Sequence, residues 1–183
     1  MRDNVQIQLG NVAVDIRCRV GSGTAQTAAN GSYSVDFTSA ALPCVVTAPV
    51  GAQAMHSVAT VATAGTATAN VTPLSEWVLV RISGGDVAGY ITNIGSDAQA
   101  AATTTALAAA LPILRDALVD VTPLAGVDPL TDAWTLALAT SVAQVVQAMT
   151  TALTSTAEVA DSFAIKAQAL PPAGDVKIQV SLA

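Results

Sequence analysis

The sequence predicts an α+β protein, because strand patterns and helix patterns occupy separate parts of the chain. Apolar and polar residues alternate over residues 5–20 and 33–71, as is typical of strands. Residues 72–160 instead contain helix-start signals and apolar residues spaced three and four apart. Alternation returns at residues 176–182, so we expect a C-terminal strand that joins a sheet. The expected divisions are a disulfide-bonded β-sandwich over residues 1–71, an Ala-rich helical region over residues 72–168, and a linker with a strand over residues 169–183.

The first strand pattern changes phase at Gly10-Asn11. Apolar residues occupy odd positions before this point and even positions after it: Val5, Ile7 and Leu9, then Val12, Val14, Ile16, Cys18 and Val20. A bulge or tight bend at Gly10 would re-aim the buried face in this way.

A hairpin is predicted at Asn30-Gly31, because both residue types tolerate a positive φ. The alternating residues Tyr33, Val35 and Phe37 follow this turn directly. Further strands are expected at residues 44–48, 54–62 and 66–71.

The two cysteines lie on either side of this hairpin signal, and each belongs to an alternating segment. We therefore expect a disulfide between Cys18 and Cys44, which would stabilise the fold by roughly 3 kcal/mol. The alternative is a pair of independent buried thiols. A disulfide on β-structure is typical of exported proteins. Met1–Asn4 lack the features of a signal peptide, so either an export signal lies outside this sequence or the chain is cytosolic.

The segment Thr27–Val35, TAANGSYSV, resembles the T-D-x-x-G-x-Y-x-V/L signature of carboxypeptidase-regulatory-like, transthyretin-like β-sandwich domains, with Ala28 in place of the Asp. The resemblance covers about residues 12–62. It implies that Tyr33 and Val35 enter a sandwich core and that the domain is a non-catalytic accessory or surface module. The chain is also similar to uncharacterised secreted proteobacterial proteins in which such a domain runs into an N-V-T-P-L segment, here Asn70–Leu74, and then Ala-rich helices.

Three helix starts are predicted downstream. Thr72 is an N-cap candidate with Pro73 at the first helical position, and Gly84-Gly85 would end that helix. Ser96 opens a second helix that extends to about Val119. Asp128-Pro129 opens a third helix towards Ala160. Trp77 and Trp134 lie on the apolar stripes of the first and third helices, so we expect both to be structural.

Few residues suggest chemistry. The single histidine, His56, precedes Ser57, but neighbouring side chains on a strand point to opposite faces, so we do not expect a catalytic pair. Asp116, Asp120, Asp128 and Asp132 could collect around Ca²⁺ at a helix connection, although first-turn acids that complement a helix dipole are the simpler interpretation. We therefore expect no catalytic, metal or cofactor site and no enzyme activity.

The composition limits the possible partners. A net charge of −6 with seven scattered cations argues against nucleic-acid binding. The Ala-rich runs are interrupted by polar residues and Pro112, so no transmembrane segment is expected. Only 11% of residues are charged, which leaves weak electrostatic repulsion between copies and favours self-association.

The expected function is that of a non-catalytic extracellular or cell-surface structural subunit that assembles into filaments by exchanging terminal strands. Alternating strands with little charge at both ends would be aggregation hazards as free edges. The predicted assembly residues are Val5, Ile7, Leu9, Val176, Ile178, Val180 and Leu182. Pairing of both ends within one subunit remains an alternative. A second alternative is a module that binds a lipid or another small apolar ligand between the helices.

Overall fold

The computed structural model describes residues 10–29, 31–50, 53–118, 128, 130–132 and the backbone of 176–182. It contains both strands and helices, and the predicted α+β class is confirmed. The strands are β1 (Ala13–Val20), β2 (Ser22–Gln26), β3 (Ser32–Phe37), β4 (Ala41–Val50), β5 (Gln53–Ala59), β6 (Thr66–Val71) and β7 (Val176–Leu182). The helices are α1 (Pro73–Ile82), α2 (Val87–Asn93) and α3 (Asp97–Leu118).

The first sheet has the strand order β2-β1-β4-β5, and every pair in it is antiparallel. Alternation in β1 buries the even-numbered residues Val14, Ile16 and Cys18, as the sequence pattern predicts. The phase change lies just before this strand, where Asn11 has a φ of 58°.

The predicted hairpin at Asn30-Gly31 is wrong. The hairpin that opens the first sheet joins β1 to β2 through Gly21, which has a φ of 87°. Gly31 also has a positive φ, 76°, but its turn leads from β2 in the first sheet to β3 in the second. Both turns, at Gly21 and at Gly31, contain a glycine with a positive φ. A positive φ alone therefore does not indicate whether the strands on either side of a turn pair with each other.

The second sheet has the order β3-β7-β6. Strand β7 is parallel to β3 and antiparallel to β6, and it pairs with each of them over six residues. Its position between the two other strands places it at the centre of this sheet.

Buried apolar residues form two clusters, one on each face of the first sheet. The β-sheet core joins both sheets through Val14, Ile16, Cys18, Tyr33, Phe37, Cys44, Val46, Ala48, Met55, Ala59, Ala67, Ala69 and Val71. The helical core joins the other face to the helices through Val45, Val58, Leu74, Trp77, Val78, Leu79, Tyr90, Ile94, Leu107, Ala110, Leu114 and Leu130. The first sheet therefore lies between the second sheet and the helices.

Helix α1 begins and ends where the sequence predicts. The hydroxyl of Thr72 accepts a hydrogen bond from the Ser75 amide at 3.1 Å, and the Ser75 hydroxyl accepts one from the Thr72 amide at 2.8 Å, which makes a capping box. Gly84 and Gly85, at φ 64° and 91°, follow the last turn. Trp77 is only 1% exposed, so the expectation that it belongs to a core is confirmed.

The later helices agree with the sequence only in part. The predicted second helix is α3, and Ser96 caps it by accepting a hydrogen bond from the Gln99 amide at 3.0 Å. The short helix α2 was not predicted. The predicted helix over residues 128–160, with Trp134, lies outside the described residues apart from positions 128 and 130–132. None of the described helices has the length and apolar character needed to cross a membrane.

The predicted disulfide between Cys18 and Cys44 is confirmed. The two residues are direct partners in the β1–β4 ladder, and their Cα atoms are 3.8 Å apart. Strands β2 and β3 lie between the two cysteines in the sequence, so the bond closes a loop that contains one strand of each sheet.

We predict that the double substitution Cys18→Ser, Cys44→Ser lowers the free energy of unfolding by about 3 kcal/mol, because the unfolded chain regains loop entropy. Urea unfolding of oxidised protein, reduced protein and the double variant measures this effect. The reduced wild type should match the variant closely. Equal stability of all three forms would show that the bond contributes nothing.

The Tyr33 hydroxyl is buried in the β-sheet core, and it has no hydrogen-bond partner among the described residues. Burial strongly raises the pKa of this phenol. Burial also raises the pKa of Tyr90, against the opposing effect of hydrogen bonds with Thr103 and Gln99. The Tyr90 hydroxyl, unlike that of Tyr33, is paired with the Thr103 hydroxyl at 2.5 Å.

We predict that Tyr33→Phe raises the free energy of unfolding by about 1 kcal/mol, because it removes an unpaired buried hydroxyl. Tyr90→Phe should lower it by a similar amount, since it breaks a hydrogen bond. Because burial raises the pKa of the phenol in the folded state, its contribution to the free energy of unfolding is fully present below the pKa of the unfolded chain, near 10. That contribution is lost as the pH rises above this value. Urea unfolding at neutral and alkaline pH should therefore show a shallower alkaline loss for Tyr33→Phe. Destabilisation by Tyr33→Phe would contradict this prediction.

Candidate functional site

The first turn of α1 covers the outer edge of β5, the last strand of the first sheet. His56 pairs with Thr47 of β4 on the inner side. The His56 amide donates a hydrogen bond to Glu76 Oε2 at 2.6 Å, and its carbonyl accepts one from the Ser75 hydroxyl at 2.9 Å. The N–H and C=O of one residue in an antiparallel strand point to the same side of the strand. At the outer edge of β5, the first turn of α1 therefore supplies partners for both the N–H and the C=O of His56.

The same carboxylate also contacts the His56 ring. Nδ1 lies 2.8 Å from Glu76 Oε2, and the two side chains are 9% and 1% exposed. An ionised carboxylate only accepts hydrogen bonds, so Nδ1 carries a proton in this pair. In the neutral ring, Nε2 is then the nitrogen with a free lone pair. Glu76 therefore fixes the orientation of the imidazole, and in its ionised form it selects the ring form that carries a proton on Nδ1.

His56 lines a cavity of about 390 Å³ between β5, the end of α1 and the start of α2. The other lining residues are Val80, Gly85, Asp86, Val87, Ala88 and Ile91. Among the described residues, Nε2 has no hydrogen-bond partner. The cavity thus combines mostly aliphatic walls with two acceptor groups, the His56 imidazole and the Asp86 carboxylate.

The rim of the cavity is set by the cap of α2. Asp86 is the N-cap residue, and its carboxylate accepts a hydrogen bond from the Gly89 amide at 2.9 Å. A Cβ at position 89 would collide with this carboxylate, so a glycine is required there for close approach. The rim therefore carries a fixed negative charge.

The predicted separation of His56 from Ser57 agrees with the structure. Ser57 is fully buried beside Met55 and Ala59 of the β-sheet core, whereas His56 contacts α1 on the strand edge. The Ser57 hydroxyl has no partner among the described residues. This pair is therefore not arranged as a nucleophile and its base.

The acidic residues considered for Ca²⁺ do not come together around a site in the described part of the chain. Asp116 is exposed on α3, and Asp120 lies outside the described residues. Asp128 accepts a hydrogen bond from the Leu130 amide at 2.9 Å, and Asp132 accepts one from the Asp128 amide at 2.8 Å. Across the residues that the structure describes, no group of three or more His, Cys, Asp or Glu side chains could hold a metal ion.

A second, more open cleft of about 570 Å³ lies beside the β1–β2 hairpin and the turn before α3. Arg17 and Arg19 are among its lining residues. Arg19 donates to Asp97 at 2.7 Å and to the Leu42 carbonyl at 3.0 Å. Arg19 thus connects β1 to β4 and to the start of α3, which is a structural task.

The predicted assembly residues are described only in part. Val176, Ile178, Val180 and Leu182 belong to β7, in register with Val71, Ala69 and Ala67 of β6 and with Tyr33, Val35 and Phe37 of β3. Val5, Ile7 and Leu9 lie outside the described residues.

Comparisons of this chain with protein-family models, with curated proteins and with solved structures found no match. The resemblance of Thr27–Val35 to carboxypeptidase-regulatory-like domains therefore gains no support from family models and stays a hypothesis.

We predict that Glu76→Ala lowers the free energy of unfolding by about 3 to 5 kcal/mol, because it leaves the His56 amide and ring without their shared acceptor. Glu76→Gln keeps the shape and one acceptor oxygen, so it should cost clearly less. Thermal and urea unfolding of both variants measure the difference. Equal losses in the two variants would show that side-chain volume, and not the shared acceptor, matters at this position.

Proposed function

We propose that the protein is a non-catalytic, exported structural subunit whose two sheets form a disulfide-bonded sandwich and whose strand β7 completes the second sheet of a neighbouring copy. Assembly then occurs by strand exchange. The observation that carries this proposal is the central position of β7 between β3 and β6.

The pairing of β7 supports exchange because the strand brings its own complete set of main-chain hydrogen bonds. It pairs over six residues on each side. Strand addition of this kind gains affinity from the backbone and specificity from alternating side chains. The apolar residues of β7 are in register with buried residues of both neighbours, among them Tyr33 and Ala69.

The connections of β7 also support exchange. The described helices α1, α2 and α3 all lie between β6 and β7 in the sequence, so no tight turn fixes β7 to the strands that it joins. The same register is therefore available to β7 of the same subunit and to β7 of another. When each subunit donates its β7 to the next subunit, the contact does not close on itself, and the subunits extend as a filament.

Export is supported by the Cys18–Cys44 disulfide, since such bonds persist in oxidising compartments. The resemblance of Thr27–Val35 to accessory β-sandwich domains points in the same direction. The low charge content, 11%, leaves little repulsion between copies.

A pair of cysteine variants tests the exchange. Thr68 and Gln179 are direct partners in the antiparallel β6–β7 ladder, as Cys18 and Cys44 are in the β1–β4 ladder. We predict that co-expression of one chain with Thr68→Cys and another with Gln179→Cys gives covalent dimers after mild oxidation, as seen on non-reducing gels.

The controls separate exchange from pairing within one subunit. A chain that carries both substitutions should give covalent oligomers by exchange, and only monomers if β7 stays in its own subunit. Thr66→Cys is the off-register control, because Thr66 pairs with Ser181. Monomers alone from the mixed pair, together with an internal bond in the double variant, would overturn the proposal.

A second function, binding of a small apolar ligand beside the helices, is favoured by one specific observation. The cavity at His56 has aliphatic walls from Val80, Val87 and Ile91 and lies against both α1 and α2. Its volume is within the range of small-molecule sites.

A further inference from the structure

The cavity at His56 contains a ring nitrogen whose hydrogen-bonding capacity the described residues leave unused. His56 is 7% exposed, and its Nδ1 is occupied by Glu76. Nε2 is not among the buried unpaired atoms of the described residues, so it is open to the cavity, and a ligand hydroxyl there takes the place of solvent.

The protonation pattern of the pair defines which ligand group fits. Glu76 Oε2 accepts from both the amide and Nδ1 of His56, so the neutral ring presents Nε2 as an acceptor. The complementary ligand group is therefore a donor. A hydroxyl is the smallest neutral donor that an otherwise aliphatic cavity accommodates.

The charges around the cavity select against anionic ligands. Glu76 lies behind the ring, and the Asp86 carboxylate is fixed at the rim by the Gly89 amide. A ligand carboxylate would meet these two negative groups, and like charges in a partly desolvated site repel.

We propose that this cavity binds a small apolar alcohol or phenol, whose hydroxyl donates a hydrogen bond to Nε2 of His56. The ligand body packs against Val80, Val87 and Ile91. This assignment rests on the apolar-ligand function proposed above, and it adds the chemical group that gives selectivity.

Three probes that share one benzene ring and differ in the attached group test the assignment: phenol, benzene and benzoate. The protein has a single histidine, so the imidazole nitrogen signals in a ¹⁵N NMR spectrum belong to His56 without further assignment. We expect the free protein to show a protonated Nδ1 and an unprotonated Nε2. Phenol should shift the Nε2 signal saturably and bind about five- to tenfold more tightly than benzene, because one hydrogen bond separates the two ligands. Benzoate should bind more weakly than either.

Two tryptophan variants locate the binding. Ala88 is exposed at the rim and lines the cavity, so Ala88→Trp should fill it and abolish the phenol shift. Ala108 is equally exposed on α3, away from the cavity lining, and Ala108→Trp should bind phenol as the wild type does. Both variants should keep the His56 nitrogen shifts of the free protein, which shows that the Glu76 pair is intact.

The outcomes distinguish this assignment from the function on which it rests. Equal binding of phenol and benzene, both lost in Ala88→Trp, would overturn the hydroxyl assignment and leave an apolar-ligand function. Tightest binding of benzoate, or a proton on Nε2 in the free protein, would also overturn it. No binding of any probe would overturn both the assignment and the ligand function.

Discussion

The arrangement of the described fold depends on how the outer edge of β5 is closed at His56. An edge strand exposes N–H and C=O groups that must find partners. Here Glu76 and Ser75, consecutive residues in the first turn of α1, supply the acceptor and the donor. The Ser75 hydroxyl also completes the capping box with Thr72, so the start of the helix and the closure of the sheet edge belong to one network. That network fixes α1 against the first sheet and places Trp77 in the helical core.

Strand β6 is closed by the same principle from a different segment. The Asn70 amide donates to the Leu130 carbonyl at 2.8 Å, and the Asn70 side chain donates to the Asp132 carbonyl at 2.5 Å. Leu130 is itself part of the helical core. Residues that follow β6 in the sequence therefore satisfy edges of both sheets, and the β-rich and helical parts stabilise each other. A boundary at Val71 divides the sequence by secondary structure, but these hydrogen bonds cross it.

Local signals in the sequence predict those parts of the structure that depend on neighbouring residues. The alternation in β1 and the Thr72-Pro73 helix start are found as expected, because burial of one face and capping of a first turn are decided within a few residues. Which turn joins strands that pair depends on the whole sheet, so the Asn30-Gly31 signal predicts a hairpin that the structure places at Gly21. The role of Glu76 is not predictable locally for the same reason: a first-turn glutamate normally complements the helix dipole, whereas this one contacts a strand twenty residues earlier. The one available signal was an acid within the apolar segment Leu74–Ile82.

The two proposed functions use opposite sides of the first sheet, so they are physically compatible. Exchange of β7 concerns the ladders to β3 and β6 in the second sheet. The ligand cavity lies on the helical side, where β5 meets α1 and α2. One site affects another only through a difference in binding free energy between two states of the protein. The contact with Glu76 holds the His56 ring in place, so the proposed ligand meets Nε2 in a fixed position. Neither event therefore requires the other to occur first.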